Sequence, residues 1–545
     1  MHAFATHVVL NQSTPFENVN LYRCDPALQE ALAREGAAWA AAQLDALGAE
    51  LGRADVLELG RLANAHPPRL HSVDRGGKRI DELEFHPAWH RLMALMIGAG
   101  AHAAPWETPQ PGAQVARAAA YLLFGQVDNG AQCPVTMTYA SVPALRHAPA
   151  LARAWLPKIL SRSYDPRALP VGQKQGALIG MGMTEKQGGS DVRANTTRAA
   201  PLGGPDDPWS IVGHKWFFSA PQADAHLILA QAGAAGLSCF LLPRFLEDGS
   251  RNAIHVQRLK DKLGNRSNAS SEVEFCGALG WLVGPVGRGI PTILEMGSHT
   301  RLDCVLGSAG IMRAALAHAL HHARQRQAFG RALAEHPLMQ NVLADLALES
   351  EAAGAFALRL ARCFDERDDP AQALLARVLT PAGKYWICKR AIAFTGEAME
   401  VMGGNGYVED GPLARLYREA PVNSIWEGSG NVMCLDVLRA LGKSPAARDA
   451  LAAELELAGD ANAAFSAYRA ALLAELAAPA DAFGARRLGE RIVLAVQGAL
   501  LLRHAPACVS EAFCAARLAQ DAGGAFGRLG QGADVTAILA RALVE

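Results

Sequence analysis

The chain has 545 residues, of which 50% are hydrophobic and 19% are charged, and its formal net charge is −1 at pH 7. This composition excludes wholesale disorder, and the length predicts several domains rather than a single core. The near-neutral charge excludes a global electrostatic attraction to nucleic acid or to anionic membranes.

The ten cysteines are scattered, with no Cys-x-x-Cys pair and no nearby histidines. In a chain of this size they are typical of reduced core residues rather than of a disulfide frame or a metal site. No apolar run approaches the roughly 20 residues that span a bilayer, and residues 1–7 lack the pattern of a signal peptide. We therefore expect a cytoplasmic protein with no bound metal and no membrane partner.

The predicted elements begin with a helical block and continue with a β block. Residues from about 26 to 160 are helical in texture, with Pro-rich joints between the helices. Gly213 and His214 predict a tight hairpin between two β runs, because glycine supplies a positive φ. The β-like runs are 177–183, 209–212, 215–218, 225–232, 237–243, 272–275 and 281–283.

Helices return after this β block. Apolar residues that recur every three or four positions predict a long helix that ends near Arg326, and Pro337 suits the first position of the next helix. A further helix over 382–402 is expected to end at a glycine pair. The blocks predict an α+β multidomain protein. Its domains would be an N-terminal helical domain (1–176), a middle β domain (177–285), a helical bundle (286–442) and an additional helical domain (443–545).

Residues 424–433 place a lone carboxylate, Glu427, between apolar side chains and a Gly-Ser turn. Partial burial raises the proton affinity of a carboxylate, which removal of a weakly acidic C–H proton requires. The alternative is that Glu427 only lies in the first turn of a helix, where acids complement the backbone dipole. Apolar spacing over 432–441 supports a helix, so this segment alone favours the alternative.

Four further motifs precede Glu427. Alone, the first could be a surface turn, because Gly-Gly-Ser-Asp is ordinary turn chemistry. The motifs are Met-Gly-Met-Thr-Glu-Lys-Gln-Gly-Gly-Ser-Asp (181–191), Lys-Trp-Phe-Phe-Ser (215–219), Arg-Gln-Ala-Phe-Gly (326–330) and Met-Gly-Gly-Asn-Gly-Tyr (402–407). Together with the Glu427 segment, they resemble the flavin and active-site motifs of the acyl-CoA dehydrogenase superfamily. The resemblance is closest to its AidB-like branch, and it extends from near Asn11 to at least Leu441.

The resemblance implies an acyl-CoA dehydrogenase-like fold, FAD as cofactor, and a homo-oligomer that is a tetramer built from dimers. Arg326 would pair with the pyrophosphate and Phe329 would stack on the adenine of a neighbouring subunit's cofactor. The alternatives for these two residues are a helix-end cation and a core aromatic. The complete set implied for FAD is Met181, Gly182, Met183, Thr184, Gly189, Ser190, Phe217, Phe218, Ser219, Arg326, Phe329, Gly404, Ile425, Trp426, Ser429 and Asn431.

In the family's reaction, Glu427 would take the α-proton of an acyl-CoA thioester while the β-hydrogen leaves as hydride to the flavin. Arg301 lies where relatives carry an arginine. It could belong to the active site or could equally form a structural ion pair. Trp426 replaces a common Tyr, Phe217 replaces a common Trp, and Pro337 follows a position where shorter-chain enzymes carry Gln. These departures leave the acyl length open.

The AidB-like branch also implies an alternative function, in the adaptive response to alkylation damage. Such a flavoprotein would bind double-stranded DNA and protect it, or destroy alkylating agents. Residues 443–545 contain ten Lys or Arg and eleven Asp or Glu, a weak electrostatic basis for phosphate contacts. The alternative for the arginine cluster is a solvated helix face, and the alternative for residues 443–545 is that they bury a subunit interface. The candidate DNA-contacting residues are Arg439, Arg486, Arg487 and Arg491.

Overall fold

The computed structural model describes residue 4 and residues 6–204, 206–478, 481–519 and 524–544. Its backbone divides into two compact units. The sheet unit comprises Asp55–Cys304 and Ile425–Val432, and the bundle unit comprises Met1–Ala54, Val305–Ser424 and Met433–Glu545. The Glu427 segment therefore belongs to the sheet unit, although a long stretch of chain separates it from the rest of that unit.

A seven-stranded sheet forms the centre of the sheet unit, which confirms the predicted β block. Ile179–Gly182 pairs in parallel with Ala225–Gln231, and Ile254–Leu259 pairs with Ser270–Val283. The other pairings form a closed circuit. It runs from Ala225–Gln231 through Leu237–Pro243, Ser270–Val283, Trp209–Ser219 and Arg198–Pro201 back to Ala225–Gln231.

The predicted hairpin at Gly213 and His214 is wrong, because Trp209–Ser219 is one continuous strand. Gly213 pairs with Phe275 in the antiparallel ladder, and register shifts lie on both sides of it. A β-carbon at Gly213 would lie 2.5 Å from Thr197 Oγ1. The glycine therefore permits the close approach of the segment that contains Thr197 and does not make a turn.

The N-terminal block of the sheet unit is mostly helical, as predicted. It also contains a hairpin of two antiparallel strands, Arg69–Val73 and Arg79–Glu84, which the helical prediction missed. Asp74 closes their turn by accepting hydrogen bonds from the backbone of Gly76 and Lys78. The helices are Ala54–Ala65, Pro87–Gly98, Ala104–Glu107, Ala113–Gly125, Gln132–Leu145 and Pro149–Ile159.

The long helix Gly289–Gln325 begins in the sheet unit and ends, as predicted, just before Arg326. Pro337 is the first residue of the next helix, which is also as predicted. The helix predicted over 382–402 ends where expected but begins earlier, because it continues through the buried Pro381. The helix therefore tolerates a proline in its interior, although a proline removes one backbone hydrogen bond.

The bundle unit is built almost entirely of helices. Its C-terminal segment is tied to the earlier helices by buried cations. Arg313 donates to the Cys24 carbonyl over 2.6 Å and also to the Ala542 carbonyl. The helices besides Gly289–Gln325 are Pro26–Arg34, Ala41–Leu51, Pro337–Asp365, Pro370–Val401, Gly404–Tyr407, Pro412–Asn423, Gly430–Lys443, Pro445–Glu456, Ala463–Ala477, Ala485–His504, Ala507–Phe513 and Val535–Ala542. Among the described residues, no helix is both long enough and apolar enough for a membrane span.

Candidate active site

Glu427 lies in the turn between the helices Pro412–Asn423 and Gly430–Lys443. The interpretation that it occupies the first turn of a helix is wrong, because the helix begins only at Gly430. The φ angle of Glu427 is 58°, a left-handed conformation that is uncommon for a residue with a side chain. Such strain persists only where surrounding contacts hold it, and it is frequent at functional sites.

Two neighbouring side chains of the helix Gly289–Gln325 hold Glu427. The Thr300 hydroxyl donates to Oε2 of Glu427 over 2.6 Å, and Arg301 Nε donates to the Glu427 carbonyl over 3.0 Å. Thr300 is 2% exposed, whereas Glu427 is half-buried. The carboxylate is therefore held in place but remains partly exposed. Arg301 was a candidate from the sequence, whereas Thr300 was not, because no local sequence signal marks it.

Cys133 connects Glu427 with one of the predicted flavin residues. Burial is the main reason that the pKa of its thiol is raised to about 12. The Glu427 charge acts in the same direction, whereas the Lys262 charge and hydrogen bonding to Asn268 and Ser219 oppose the rise in pKa. Ser219 and Glu427, far apart in the chain, therefore both affect the Cys133 thiol. Neither Cys133 nor Asn268 was predicted to belong to the site.

Apolar residues of two predicted segments come together in the sheet unit. Met181, Met183 and Trp426 pack against one buried cluster, which lies between the helix Gln132–Leu145 and the sheet. Phe217 and Ile425 expose 52% and 63% of their surfaces. Such exposed apolar surface is suited to covering a flat apolar ring.

Phe218 occupies a different environment from Phe217. Its ring is fully buried and stacks on His226, with 3.8 Å between the ring centroids. The structure therefore places its side chain in the core, where it supports the strand and offers no surface to a ligand. A β-carbon at Gly182 would lie 2.5 Å from this ring, so close packing explains the glycine.

A buried ion pair organises the loop that follows Gly182. Glu185 and Lys215 are both fully buried, and their charged atoms lie 2.8 Å apart. Burial opposes ionisation of Glu185, but the Lys215 ammonium and hydrogen-bond donors hold its pKa well below the usual range. Burial lowers the pKa of Lys215 to about 8. Within the loop, the groups that donate to Glu185 are Gln187 Nε2, the Thr196 backbone and hydroxyl, and the Thr197 backbone.

The loop that contains Glu185 also carries the predicted polar cofactor contacts, Thr184 and Ser190. Thr184 is half-buried and Ser190 is exposed. A β-carbon at Gly189 would lie 2.3 Å from Thr184 Oγ1, so the glycine allows the two backbone segments to approach. Glu185 and Lys215 both lie within the predicted motifs, but their pairing was not predicted.

The remaining predicted residues fall into two groups. Ser429 and Asn431 belong to the sheet unit and follow Glu427 directly, and they are half-buried and exposed, respectively. Arg326, Phe329 and Gly404 belong to the bundle unit. Phe329 is 97% exposed, so the alternative that it is a core aromatic is wrong. Arg326 Nη1 donates to the Asn11 carbonyl.

Arg439, Arg487 and Arg491, which were considered for DNA contact, make ion pairs within the protein. Arg487 donates to Glu475 over 2.9 Å, and Arg491 donates to the same carboxylate. Arg439 lies 3.1 Å from Asp436. Arg486 lies in the same helix as Arg487 and Arg491, Ala485–His504. Internal carboxylates thus partly neutralise this basic surface.

Ser219 and Asn268 carry polar atoms of the kind that the edge of an isoalloxazine ring requires. Among the described residues, no donor satisfies the buried Oδ1 of Asn268. A buried acceptor without a partner requires a water or a ligand, and a flavin ring carries an N–H group on its polar edge. The donor and acceptor set at Ser219 and Asn268 is therefore compatible with FAD.

Comparison with known proteins identifies three consecutive family segments. The AidB N-terminal domain of the adaptive response matches residues 11–166, and the middle and C-terminal domains of acyl-CoA dehydrogenases match residues 180–277 and 287–442. The AidB protein of Escherichia coli (strain K12) is 53% identical over 517 residues, which cover 94% of each chain. These matches confirm the resemblance drawn from the motifs.

Solved structures confirm the expected fold. The structure of Caenorhabditis elegans ACDH-11 in complex with C11-CoA aligns with a TM-score of 0.82 and 27% identity, and covers 99% of this chain and 94% of that one. An acyl-CoA dehydrogenase from Bacillus anthracis complexed with FAD shares the fold at 18% identity, with a TM-score of 0.66 and coverage of 79% and 80%. The chain therefore belongs to the acyl-CoA dehydrogenase family, in its AidB branch.

Proposed function

We propose that the protein is an FAD-containing enzyme that oxidises the bond between the α- and β-carbons of an acyl-CoA thioester. The observation that carries this proposal is the half-buried Glu427 carboxylate, which Thr300 holds within a strained turn. A carboxylate in such a position can act as a general base. The C11-CoA bound to the related Caenorhabditis elegans protein supports acyl-CoA as the substrate class.

The residues proposed to hold FAD come from four parts of the chain. Phe217, Ile425 and Trp426 offer apolar surface for the ring, and Ser219 and Asn268 offer polar atoms for its edge. The remaining polar and backbone contacts are assigned to Met181, Gly182, Met183, Thr184, Gly189, Ser190, Ser429 and Asn431. We also propose a homo-oligomer, a tetramer built from dimers, in which Arg326, Phe329 and Gly404 contact a cofactor. The full exposure of Phe329 supports this assignment.

Glu427 accepts the α-proton at its carboxylate in the proposed reaction. The electron pair of the α C–H bond then forms the new C=C bond as the β C–H bond breaks and its hydrogen leaves with two electrons. FAD, when bound, supplies the acceptor for that hydride. A concerted path avoids a free carbanion, so one base is sufficient. The protein's own contribution is to fix the base and to exclude water with the apolar residues around it.

The test is anaerobic mixing of the purified holoprotein with a panel of acyl-CoA thioesters of different lengths, while flavin absorbance is followed. We expect Glu427→Gln to reduce the rate of flavin bleaching at least roughly 100-fold, because the amide cannot accept the proton. Glu247→Gln, which changes an exposed carboxylate of the same unit, is the matched control. A colourless protein that takes up no FAD, or a Glu427→Gln variant that bleaches as fast as the parent, would contradict the proposal.

A further inference from the structure

The hydroxyl of Thr300 has two possible acceptors. It lies 2.6 Å from Oε2 of Glu427 and 3.2 Å from the carbonyl of Gly297. A hydroxyl has a single proton to donate, so the shorter contact defines the stronger bond. A separation of 2.6 Å is typical of an O–H group that donates to an ionised carboxylate.

Thr300 lies on a firmly anchored part of its helix. One turn further on, Asp303 forms a buried pair with both terminal nitrogens of Arg117, of which Nη2 lies 2.6 Å from Oδ2. Arg117 also donates to the Ala101 carbonyl over 2.8 Å, and the Thr136 hydroxyl donates to Asp303. These contacts tie the helix to the rest of the sheet unit, so the Thr300 hydroxyl is preorganised.

The backbone of Glu427 is held independently of its carboxylate. Arg301 donates to the Glu427 carbonyl, and this residue has a left-handed φ. The neighbouring side chains Thr300 and Arg301 therefore fix the two ends of the same residue. A carboxylate held in this way can turn little about its side-chain bonds.

We propose that Thr300 is the positioning residue of the base. It engages Oε2 of Glu427 and so leaves Oε1 as the oxygen that receives the α-proton. This assignment rests on the proposed acyl-CoA oxidation. Thr300 touches neither substrate nor cofactor in this scheme, and it acts through Glu427 alone.

The first test compares Thr300→Val, which keeps the shape and removes the hydroxyl, with Thr300→Ser, which keeps the hydroxyl. We expect Thr300→Val to lower the limiting rate of flavin reduction by roughly 10- to 100-fold, because a misplaced base reacts slowly. The KM for acyl-CoA should stay unchanged, and Thr300→Ser should retain most of the rate. Equal rates for Thr300→Val and the parent, or equal losses in both variants, would overturn the proposal.

The second test needs no turnover. The infrared carboxylate bands of Glu427 are identified as the difference between the parent holoprotein and Glu427→Gln. Thr300→Val should shift these bands, and Thr300→Ser should leave them in place. An unshifted band in Thr300→Val would overturn the positioning role, even if no acyl-CoA in the panel bleaches the parent. Failure of the parent to bleach, by contrast, bears only on the proposed function.

Discussion

The two units bury their charges in different ways. In the sheet unit, Lys215 faces Glu185, and both side chains are fully buried. In the bundle unit, Arg517 lies between Asp345 and Glu349, and Glu349 also meets Arg390. A loop that carries predicted cofactor residues therefore depends on one cation, whereas several partners share the charges that hold the C-terminal segment.

The buried charges of the sheet unit fix the path of one loop, whereas those of the bundle unit attach the C-terminal segment. Glu185 accepts hydrogen bonds from several groups of a single loop. Its ionised carboxylate therefore fixes the path of that loop. Asp345 accepts hydrogen bonds from the Arg517 side chain and the Gly527 backbone, which both belong to the C-terminal segment. Loss of Lys215 leaves Glu185 with neutral donors only, whereas loss of Arg517 leaves Glu349 with the Arg390 cation. We therefore expect the larger effect in the sheet unit.

The largest expected effect is that of Lys215→Met. The substitution leaves Glu185 buried without its cation, and we expect the free energy of unfolding to fall by about 3–5 kcal/mol. Because the loop loses its anchor, FAD uptake should weaken as well. Urea unfolding and flavin titration measure the two effects.

Arg517→Met is the matched variant in the bundle unit. We expect a smaller loss of about 1–3 kcal/mol, because Glu349 keeps Arg390 and Asp345 keeps the Gly527 backbone donor. The affinity for FAD should stay unchanged, because Arg517 pairs with carboxylates of the bundle unit, outside the loop that contains Glu185. A larger loss in Arg517→Met than in Lys215→Met would reverse the comparison.

Local sequence signals explain what was predicted correctly. The buried strand Leu237–Pro243 is apolar except for Ser238, and the helix Pro370–Val401 ends just before the expected glycine pair. The hairpin of Arg69–Val73 and Arg79–Glu84 was missed because its strands are largely polar and exposed. Gly213 was predicted to form a turn, but it instead allows a close approach to Thr197. That contact depends on a segment of the fold that the local sequence around Gly213 does not contain.

The candidate site was predictable only where motifs mark it. Glu427 was identified from its segment, but its left-handed backbone was not, because that conformation usually signals glycine or asparagine. Thr300 was missed because its bond to Glu427 spans 127 positions of sequence. Such a contact follows from the packing of two distant elements, and no periodicity reveals it.

Acid should destabilise the sheet unit through His226. Burial lowers the pKa of this histidine to about 3, against an ordinary value of 6.5. The folded protein keeps it neutral, whereas the unfolded chain takes up a proton below about pH 6.5. Stability is therefore fully present above that pH and is lost as the pH falls toward 3, by roughly 1.4 kcal/mol per pH unit.

His226→Gln removes this contribution and should flatten the dependence of unfolding free energy on pH between about 6.5 and 4 by that amount. Urea unfolding over a pH series measures the slope within each protein, independently of its absolute stability. His71→Gln changes an exposed histidine of the same unit and serves as the control. Identical slopes for His226→Gln and the parent would show that His226 is not held neutral.

The smallest effect concerns the arginines considered for DNA contact. The triple variant Arg486→Ala, Arg487→Ala and Arg491→Ala should change duplex DNA affinity less than roughly twofold at low salt, because a neutralised arginine releases few counterions. Its unfolding free energy should fall by at most about 1 kcal/mol, as is usual for surface ion pairs. Arg469→Ala, which removes another arginine paired with a carboxylate, is the control. A tenfold loss of affinity in the triple variant alone, with a weaker salt dependence, would instead assign DNA contact to this helix. The bundle unit would then carry a function that its internal ion pairs do not suggest.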